Sequence, residues 1–432
     1  MKKLIWGTVL VAAAAWLLPV IEQVAGWDVW IWRKQLIYFT GLTSFLLMTL
    51  VMLLAVRPAL LEKQLGGLDK MYRLHKWAGI WAVVLGLLHY GIKLAKGPML
   101  TVFGEATREH RIKIFLELFR GSAKDLGEWS VWIMAAMVVL ALVQRFPYHL
   151  WRYVHKVLAA CYLLIVFHSI VLTPPQWWLQ PAGLLIALAA GAGCWCALLS
   201  LSGRIGRSRT YLGRLLAVRR LPADMVELEC QLEGRWQHRP GQFAFVTFSR
   251  IEGAHPFTIA SADRGDGRLR FAIKALGDHT RQLVEQLEAG REVWVEGPYG
   301  CFDLPRQRAD EEQVWVAAGI GVTPFLSWLE SLQERPEAAP VASLHYCANS
   351  ERDAVFAQRL RQLCERLPNI RLHIHLSERD GLLDSRQLLA GRSKDTRVWF
   401  CGPEGLADSL AQAMAALGMS PRNLHRELFR MR

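Results

Sequence analysis

Long apolar stretches dominate the chain up to residue 204. They run approximately Leu4–Val20, Ile37–Val56, Trp77–Ala95, Trp129–Val143, Val154–Leu172 and Leu179–Leu201. A helix needs about 20 mainly apolar residues to cross the hydrocarbon of a bilayer, so six spans are predicted, the fourth a short one. The first follows Met1-Lys2-Lys3 and has the outline of a signal peptide. No convincing small-x-small cleavage site precedes Glu22, so an uncleaved helix is expected.

From about Tyr211 the rhythm changes. Short alternating segments predict strands at Leu215–Arg220, Val226–Leu232, Phe243–Phe248, Leu269–Ala275 and Glu292–Val295, with one helix at His279–Glu288. Turn signals such as Arg239-Pro240-Gly241 separate them, which suggests a small β-barrel. After residue 312 strand, turn and helix alternate. Strands are expected at Gln313–Ala318, Val341–Tyr346, Arg371–Leu376 and Arg397–Phe400, giving a parallel sheet with helices on its faces. The predicted fold is multidomain: a six-helix transmembrane bundle at 1–204, a β-barrel at 205–308 and an α/β parallel-sheet domain at 309–432.

Composition agrees with a membrane half joined to a soluble half. Hydrophobic residues make up 52% of the 432, and 13 of the 18 tryptophans precede residue 200. The net charge of +13 does not indicate a nucleic-acid partner, because the basic residues sit mostly beside apolar segments. With the N-terminus inside, the inner segments hold Lys2, Lys3, Arg57, Lys63, Lys70, Arg73, Lys76, Arg145, Arg152 and Lys156. That distribution puts the C-terminal half in the cytosol, although an outer loop near 96–126 carries Lys96, Arg108, Arg111, Lys113, Arg120 and Lys124. The eight cysteines show no C-x-x-C and no zinc spacing, and five of them lie in the soluble half, as a reducing cytosol allows.

Four histidines carry the candidate chemistry of the membrane half. His75 and His89 are 14 residues apart on the third segment, and His155 and His168 are 13 apart on the fifth. Four helical turns take 14.4 residues, so the first pair falls nearly on one face, about 21 Å apart along the axis. The second pair is more than a residue short and calls for a bend or local unwinding. A single such histidine would be read as packing against a neighbouring helix. Two matched pairs on facing helices instead offer two axial imidazole couples, each suited to one haem iron. His110 and His149 lie in loop or interface sequence. Trp81, midway along the third segment, is expected to pack against lipid or core rather than to bridge the couples.

In the soluble half, Ala317-Ala318-Gly319-Ile320-Gly321-Val322-Thr323-Pro324-Phe325 runs from a strand through glycines into a helix. Glycines let the backbone approach a pyrophosphate, and a helix start favours its charge. Cys401-Gly402-Pro403 ends a later strand at the same carboxyl edge, where ligands of such sheets bind. In the barrel, His255-Pro256-Phe257-Thr258-Ile259-Ala260-Ser261 sets an aromatic plate beside hydroxyls, as a flavin requires. Lys274, Gly277 and Thr280 open a helix suited to the flavin phosphates.

At these residues the sequence resembles the ferric reductase and NADPH oxidase superfamily over nearly its whole length, and Leu118–Trp129 looks like the bacterial branch. The resemblance implies two b-type haems on His75, His89, His155 and His168, and FAD with Phe257 stacking on the ring and Thr258 near N5. It implies a dinucleotide on Gly319, Gly321, Thr323 and Pro324, with Cys401, Gly402 and Pro403 beside the nicotinamide. Relatives often bind the extra phosphate of NADPH with an arginine after the second strand. Asn349 and Ser350 stand there instead, and Arg352 and Arg379 are the substitutes, so NADPH is expected and NADH possible. Phe429 is the aromatic expected near the flavin at the chain's end. The implied activity is an NAD(P)H-dependent oxidoreductase in the bacterial inner membrane, with its soluble domains cytosolic. It would export electrons to ferric chelates or to oxygen. The alternatives are donation to a periplasmic partner protein, or a membrane-anchored flavin reductase without haem.

Overall fold

A computed structural model of the chain describes every residue except Met1, 22–27, 106–114, 143–147, 250–251, 305–311 and 428–432. The chain divides into two compact units, Met1–Leu65 with Lys70–Ile205, and Gly66–Asp69 with Gly206–Arg432.

The first unit is helical: α1 (Lys2–Ile21), α2 (Val29–Ala55), α3 (Ala59–Leu65), α4 (Leu68–Leu94), α5 (Lys96–Phe103), α6 (Arg120–Leu142), α7 (Tyr148–His155), α8 (Val157–Leu172) and α9 (Pro181–Leu201). Among the described residues six stretches are long and apolar enough to cross a membrane: Lys3–Ile21, Val29–Ala55, Leu68–Phe103, Phe115–Leu142, Tyr153–Leu172 and Pro181–Leu201. Several begin earlier than hydropathy suggests. The Asp28 carboxylate caps α2 by accepting from the Trp30 and Ile31 N–H groups, which carries the helix back over Trp30, Trp32 and Arg33. The fourth span is not short, because α6 continues through the polar turns Arg120–Glu128 that a hydropathy reading leaves out. The fifth is broken at Lys156. There the Lys156 N–H donates to the Tyr153 carbonyl (3.2 Å) and the Ala159 N–H to the Lys156 carbonyl (3.0 Å), a three-residue spacing.

Polar side chains join the helices inside the bundle. The Tyr162 hydroxyl shares a hydrogen bond with Thr49 (2.8 Å) and donates to the Ala189 carbonyl (3.1 Å), tying α8 to α2 and α9. Gly193 leaves room for that ring; any Cβ there would overlap it. The Ser44 hydroxyl donates to the Ala82 carbonyl (2.7 Å) and ties α2 to α4.

The second unit holds two sheets. Strands β1 (Thr210–Leu221), β2 (Met225–Leu232), β3 (Phe243–Thr247), β4 (Ala254–Thr258), β5 (Arg268–Lys274) and β6 (Glu292–Tyr299) form an antiparallel sheet ordered β4-β3-β6-β1-β2-β5. An Ile259–Phe271 bridge brings its two edges together, and α10 (Asp278–Gln286) buries Leu283 in the barrel core. Alternation did not predict β4, which contains Pro256. It is an edge strand, where a missing N–H is tolerated.

The second sheet is all parallel, ordered β11-β10-β7-β8-β9, from β7 (Gln313–Ala318), β8 (Ala342–Ala348), β9 (Ile370–Leu376), β10 (Arg397–Cys401) and β11 (Leu424–Arg426). Helices α11 (Thr323–Leu332), α12 (Ala357–Glu365), α13 (Ser377–Asp380), α14 (Ser385–Leu389) and α15 (Glu404–Ala416) accompany it. An aromatic group joins the two sheets: Phe302, leaving β6, stacks on Trp328 of α11 (5.0 Å) and meets Trp399 of β10 edge-on (5.2 Å).

Three imidazoles stack on one face of β8 and β9. His345 lies 4.7 Å from His373 and 5.3 Å from His375, ring centre to ring centre, with Arg392 hydrogen-bonded to nearby Ser343. Burial, then the neighbouring imidazoles and Arg392, pushes the His345 pKa down to about 3. The unfolded chain takes up this proton near pH 6.5, while the folded chain resists until about pH 3. Stability at this position is therefore fully present above pH 6.5 and is lost as pH falls below it, by roughly 2 kcal/mol at pH 5. The expected result is a lower urea midpoint at pH 5 than at pH 7, with a smaller difference in His345→Leu. Equal pH dependence in the two proteins would refute this account.

Candidate functional site

The four membrane histidines meet in two couples. His75 on α4 faces His155 at the end of α7, with ring centres 6.1 Å apart, and His89 on α4 faces His168 on α8 at 6.2 Å. Unbroken α4 keeps its two histidines near one face. The three-residue turns at Lys156 add rotation that 13 residues of pure α-helix lack, and so bring His155 round toward the face of His168. Three Nδ1 atoms lie against backbone carbonyls: His75 on Val51 (3.1 Å), His89 on Ile37 (2.9 Å) and His168 on Ala123 (2.7 Å). A carbonyl only accepts, so each Nδ1 carries the proton and each Nε2 keeps a free lone pair. The His155 Nδ1 is buried without a partner among the described residues, and its ring stacks on Trp151 at 4.5 Å. Two metal–imidazole bonds of roughly 2 Å each, plus roughly 1 Å from each ring centre to its nitrogen, sum to about 6 Å. Both couples have that separation. Among the described residues no three or more His, Cys, Asp or Glu side chains are grouped to hold a metal, so a metal here would take only two protein ligands. Trp81 is half-exposed on the outside of the bundle, as expected of a packing residue.

A polar cluster that the sequence reading missed lies one helical turn beyond His89. The Tyr90 hydroxyl donates to Glu128, the Lys93 ammonium pairs with the same carboxylate (2.8 Å), and Arg33 donates to the Ile92 and Lys93 carbonyls (3.0 and 2.7 Å). Of the basic residues assigned to the outer loop, Arg108, Arg111 and Lys113 lie outside the described residues. Arg120 and Lys124 are on α6.

In the barrel, β4 pairs with β3 so that His255 and Phe257 take one face and Pro256 and Thr258 the other. Phe257 is half-buried with its ring against Phe248 (6.1 Å), and Thr258 is buried with no hydrogen-bond partner for its hydroxyl among the described residues. An available aromatic face and a free hydroxyl fit a flavin. Other expected contacts are corrected. The Ile259 side chain is fully buried in the barrel core, so only its backbone can face a ligand. The Ser261 hydroxyl accepts from the Arg270 N–H (3.1 Å), and its carbonyl accepts from the Ser327 hydroxyl (2.7 Å), so Ser261 serves the barrel and its junction with α11. The Thr280 hydroxyl accepts from the Leu276 and Gly277 N–H groups (2.9 and 3.0 Å) and donates to the Gly277 carbonyl. It shapes the loop and leaves the start of α10, at exposed Gly277, to meet a phosphate. Lys274 is 4.0 Å from Asp353.

The parallel sheet reverses strand order between β7 and β10, and ligands of such sheets bind outside the carboxyl ends at that point. Both glycine turns lie there. A Cβ on Gly321 would overlap the Cys401 carbonyl, so glycine is what allows the two turns to touch. Gly319 adopts a φ of +55° with open space around it, and Pro324 occupies the first turn of α11, which no side chain caps. Val322 and Cys401, expected to contact the dinucleotide, are fully buried in the core, and the Thr323 hydroxyl donates to the Ile320 carbonyl (3.0 Å). The groups left available to a ligand at this edge are therefore backbone: Gly319 to Thr323 from one turn, Gly402 and Pro403 from the other. Burial, and then Glu427, raises the Cys401 thiol pKa well above its ordinary value. Glu427 is itself buried beside Gly300, and the sequence reading passed over it. Arg352 and Arg379 are both exposed beyond the ends of β8 and β9, and Arg379 pairs with Asp380 (2.8 Å). Phe429 lies outside the described residues.

Three family models match the chain in succession: a ferric reductase like transmembrane component at 40–166, an FAD-binding domain at 211–303 and an oxidoreductase NAD-binding domain at 315–412. A ferredoxin–NAD(P)(+) reductase component of the naphthalene 1,2-dioxygenase/salicylate 5-hydroxylase systems of a Ralstonia species is 27% identical over 51% of this chain and 70% of its own length. Respiratory burst oxidase homolog protein E of Arabidopsis thaliana is 29% identical over 42% of this chain and 21% of its own length. Among solved structures, flavohemoglobin from Malassezia yamatoensis matches 77% of this chain and 92% of its own, at 18% identity and a TM-score of 0.48.

Fold and site thus define a multi-pass membrane oxidoreductase that binds FAD and takes electrons from NAD(P)H. The chain belongs to the ferric reductase and NADPH oxidase superfamily.

Proposed function

We propose that the protein carries electrons across the bacterial inner membrane, from cytosolic NAD(P)H through FAD and two b-type haems to a ferric complex or oxygen on the outer face. The observation that carries this reading is the pair of imidazole couples, each with a ring separation that would let both imidazoles hold one iron between them. A planar macrocycle would supply the other ligands, which suits couples of two histidines with no third protein donor. A bound flavin takes two electrons from the dinucleotide and releases them singly, and haem iron carries one at a time.

This chain's own residues provide position and polarity. Carbonyls of Val51, Ile37 and Ala123 hold three imidazoles as acceptor-ready tautomers. Helices α8 and α9 form a hairpin, so the His75–His155 couple lies at the bundle end where the chain leaves for the soluble unit. The His89–His168 couple is at the opposite end, next to the Lys93–Glu128–Tyr90 cluster, where a small polar acceptor has charged groups to meet. In the soluble unit Thr258 offers its hydroxyl to a flavin ring edge and Phe257 a face, while Arg352, exposed beyond β8, suits the extra phosphate of NADPH. The excess of Lys and Arg in the segments on the soluble-unit side supports a cytosolic soluble half.

The test is the visible spectrum of the detergent-purified protein before and after anaerobic NADPH. Two haems per chain with sharp reduced b-type bands, together with bleached flavin, are expected. A flavin spectrum without haem would overturn the reading.

A further inference from the structure

Two glycines, one on α2 and one on α6, occupy matching positions against the two histidines of the couple remote from the chain exit. His89 donates to the carbonyl of Ile37, and the residue four further along α2 is Gly41. His168 donates to the carbonyl of Ala123, and the residue four further along α6 is Gly127. In an α-helix the carbonyl of residue i already accepts from the N–H of residue i+4. A ring nitrogen that also reaches this oxygen can lie over residue i+4, and at these two positions it does, so that a Cβ there would stand in its way. A Cβ on Gly127 would overlap the His168 ring, and one on Gly41 would come 3.0 Å from the His89 Nδ1. Each glycine thus leaves the space that its histidine ring occupies. The near couple lacks the arrangement: His75 donates to Val51, four residues before Ala55, and the His155 Nδ1 has no partner among the described residues.

We propose that Gly41 and Gly127 are positioning residues for His89 and His168, admitting each imidazole to a helix carbonyl and thereby fixing its tautomer and ring direction. This rests on the haem reading above. The carbonyl bond turns the Nε2 lone pair toward the opposite ring and makes it a stronger donor. The remote couple would therefore hold an iron with two oriented, hydrogen-bonded imidazoles and the near couple with one.

The experiment compares purified full-length wild type, Gly127→Ala, Gly41→Ala and Gly121→Ala. Gly121 is on α6 with open space around it and serves as the control. Haem per chain, the electron paramagnetic resonance g-values of the ferric protein and stepwise reduction potentials are read for each. Flavin content and elution volume report folding. Wild type and Gly121→Ala are expected to hold two low-spin haems. Gly127→Ala should retain flavin and one haem. Gly41→Ala should keep two, with the g-values and potential of one of them shifted. Should Gly127→Ala fail to fold, a Gly41→Ala shift still supports the proposal, and an unshifted Gly41→Ala overturns it. Two haems with unchanged g-values in a folded Gly127→Ala would also overturn it, while leaving the haem reading intact. Wild type without haem would refute that reading, and this inference with it.

Discussion

Replacing His168 with alanine is expected to leave one haem per chain, still reduced by NAD(P)H, and to lower reduction of the external acceptor by more than about 100-fold. Loss of an outer-shell partner alone weakens a metal site by up to about that factor, and loss of the ligand itself should exceed it. On the proposed reading the two couples act in series, so the position of the break is diagnostic. His155→Ala removes the couple nearer the soluble unit's connection. Electrons should then stop at the flavin, and the remaining haem should stay oxidised under NADPH. Stopped-flow spectra resolve the two cases, because flavin bleaching persists in both while haem reduction survives only in His168→Ala. The same haem content in both variants and wild type would remove these residues from the path.

Glu330→Gln should be the most destabilising single change in the soluble unit, by about 3–5 kcal/mol. Glu330 is almost completely buried on α11. It accepts from Arg270 of β5 and from Arg359 of α12 (2.5 Å), and Arg359 also reaches Glu227 of β2 (2.6 Å). The carboxylate thus neutralises two half-buried guanidinium groups at the junction of barrel and parallel sheet. Removing its charge leaves both cations without a full partner in a poorly solvated place. The change should appear in urea unfolding followed by flavin release, with a lower midpoint for Glu330→Gln and a smaller fall for Glu229→Gln, whose pair with Arg268 is looser (3.8 Å) and more exposed. A loss below about 1 kcal/mol would show that the network is replaceable by water.

Much of this was legible in the sequence, because the relevant signals are local. Spacings of 14 and 13 announced two histidine couples and even the need for unwinding, which the turns at Lys156 supply. Glycine turns at the ends of β7 and β10 marked the nucleotide edge. What escaped depends on which distant segments touch. Glu330, Arg270, Arg359 and Glu227 are far apart in the chain, and no spacing rule joins them. Gly41 and Gly127 look like ordinary small residues until the carbonyls of Ile37 and Ala123 are seen beneath two imidazoles. Motif residues misled in the opposite direction: Ile259, Val322 and Cys401 lie within recognisable site segments, yet their side chains point into cores. A short motif identifies the backbone path, and the pleat of the strand decides which side chains a ligand meets.

If the two glycine turns hold the dinucleotide as proposed, its surface is main chain, and this has a consequence for how the protein can change. Main-chain amides would then meet the parts that NADH and NADPH share, and a side-chain exchange cannot easily alter them. On that reading discrimination falls to exposed cations beyond β8 and β9, chiefly Arg352, which support no core. Dinucleotide preference is therefore a separable trait, open to drift or engineering at the rim while the catalytic frame stays fixed.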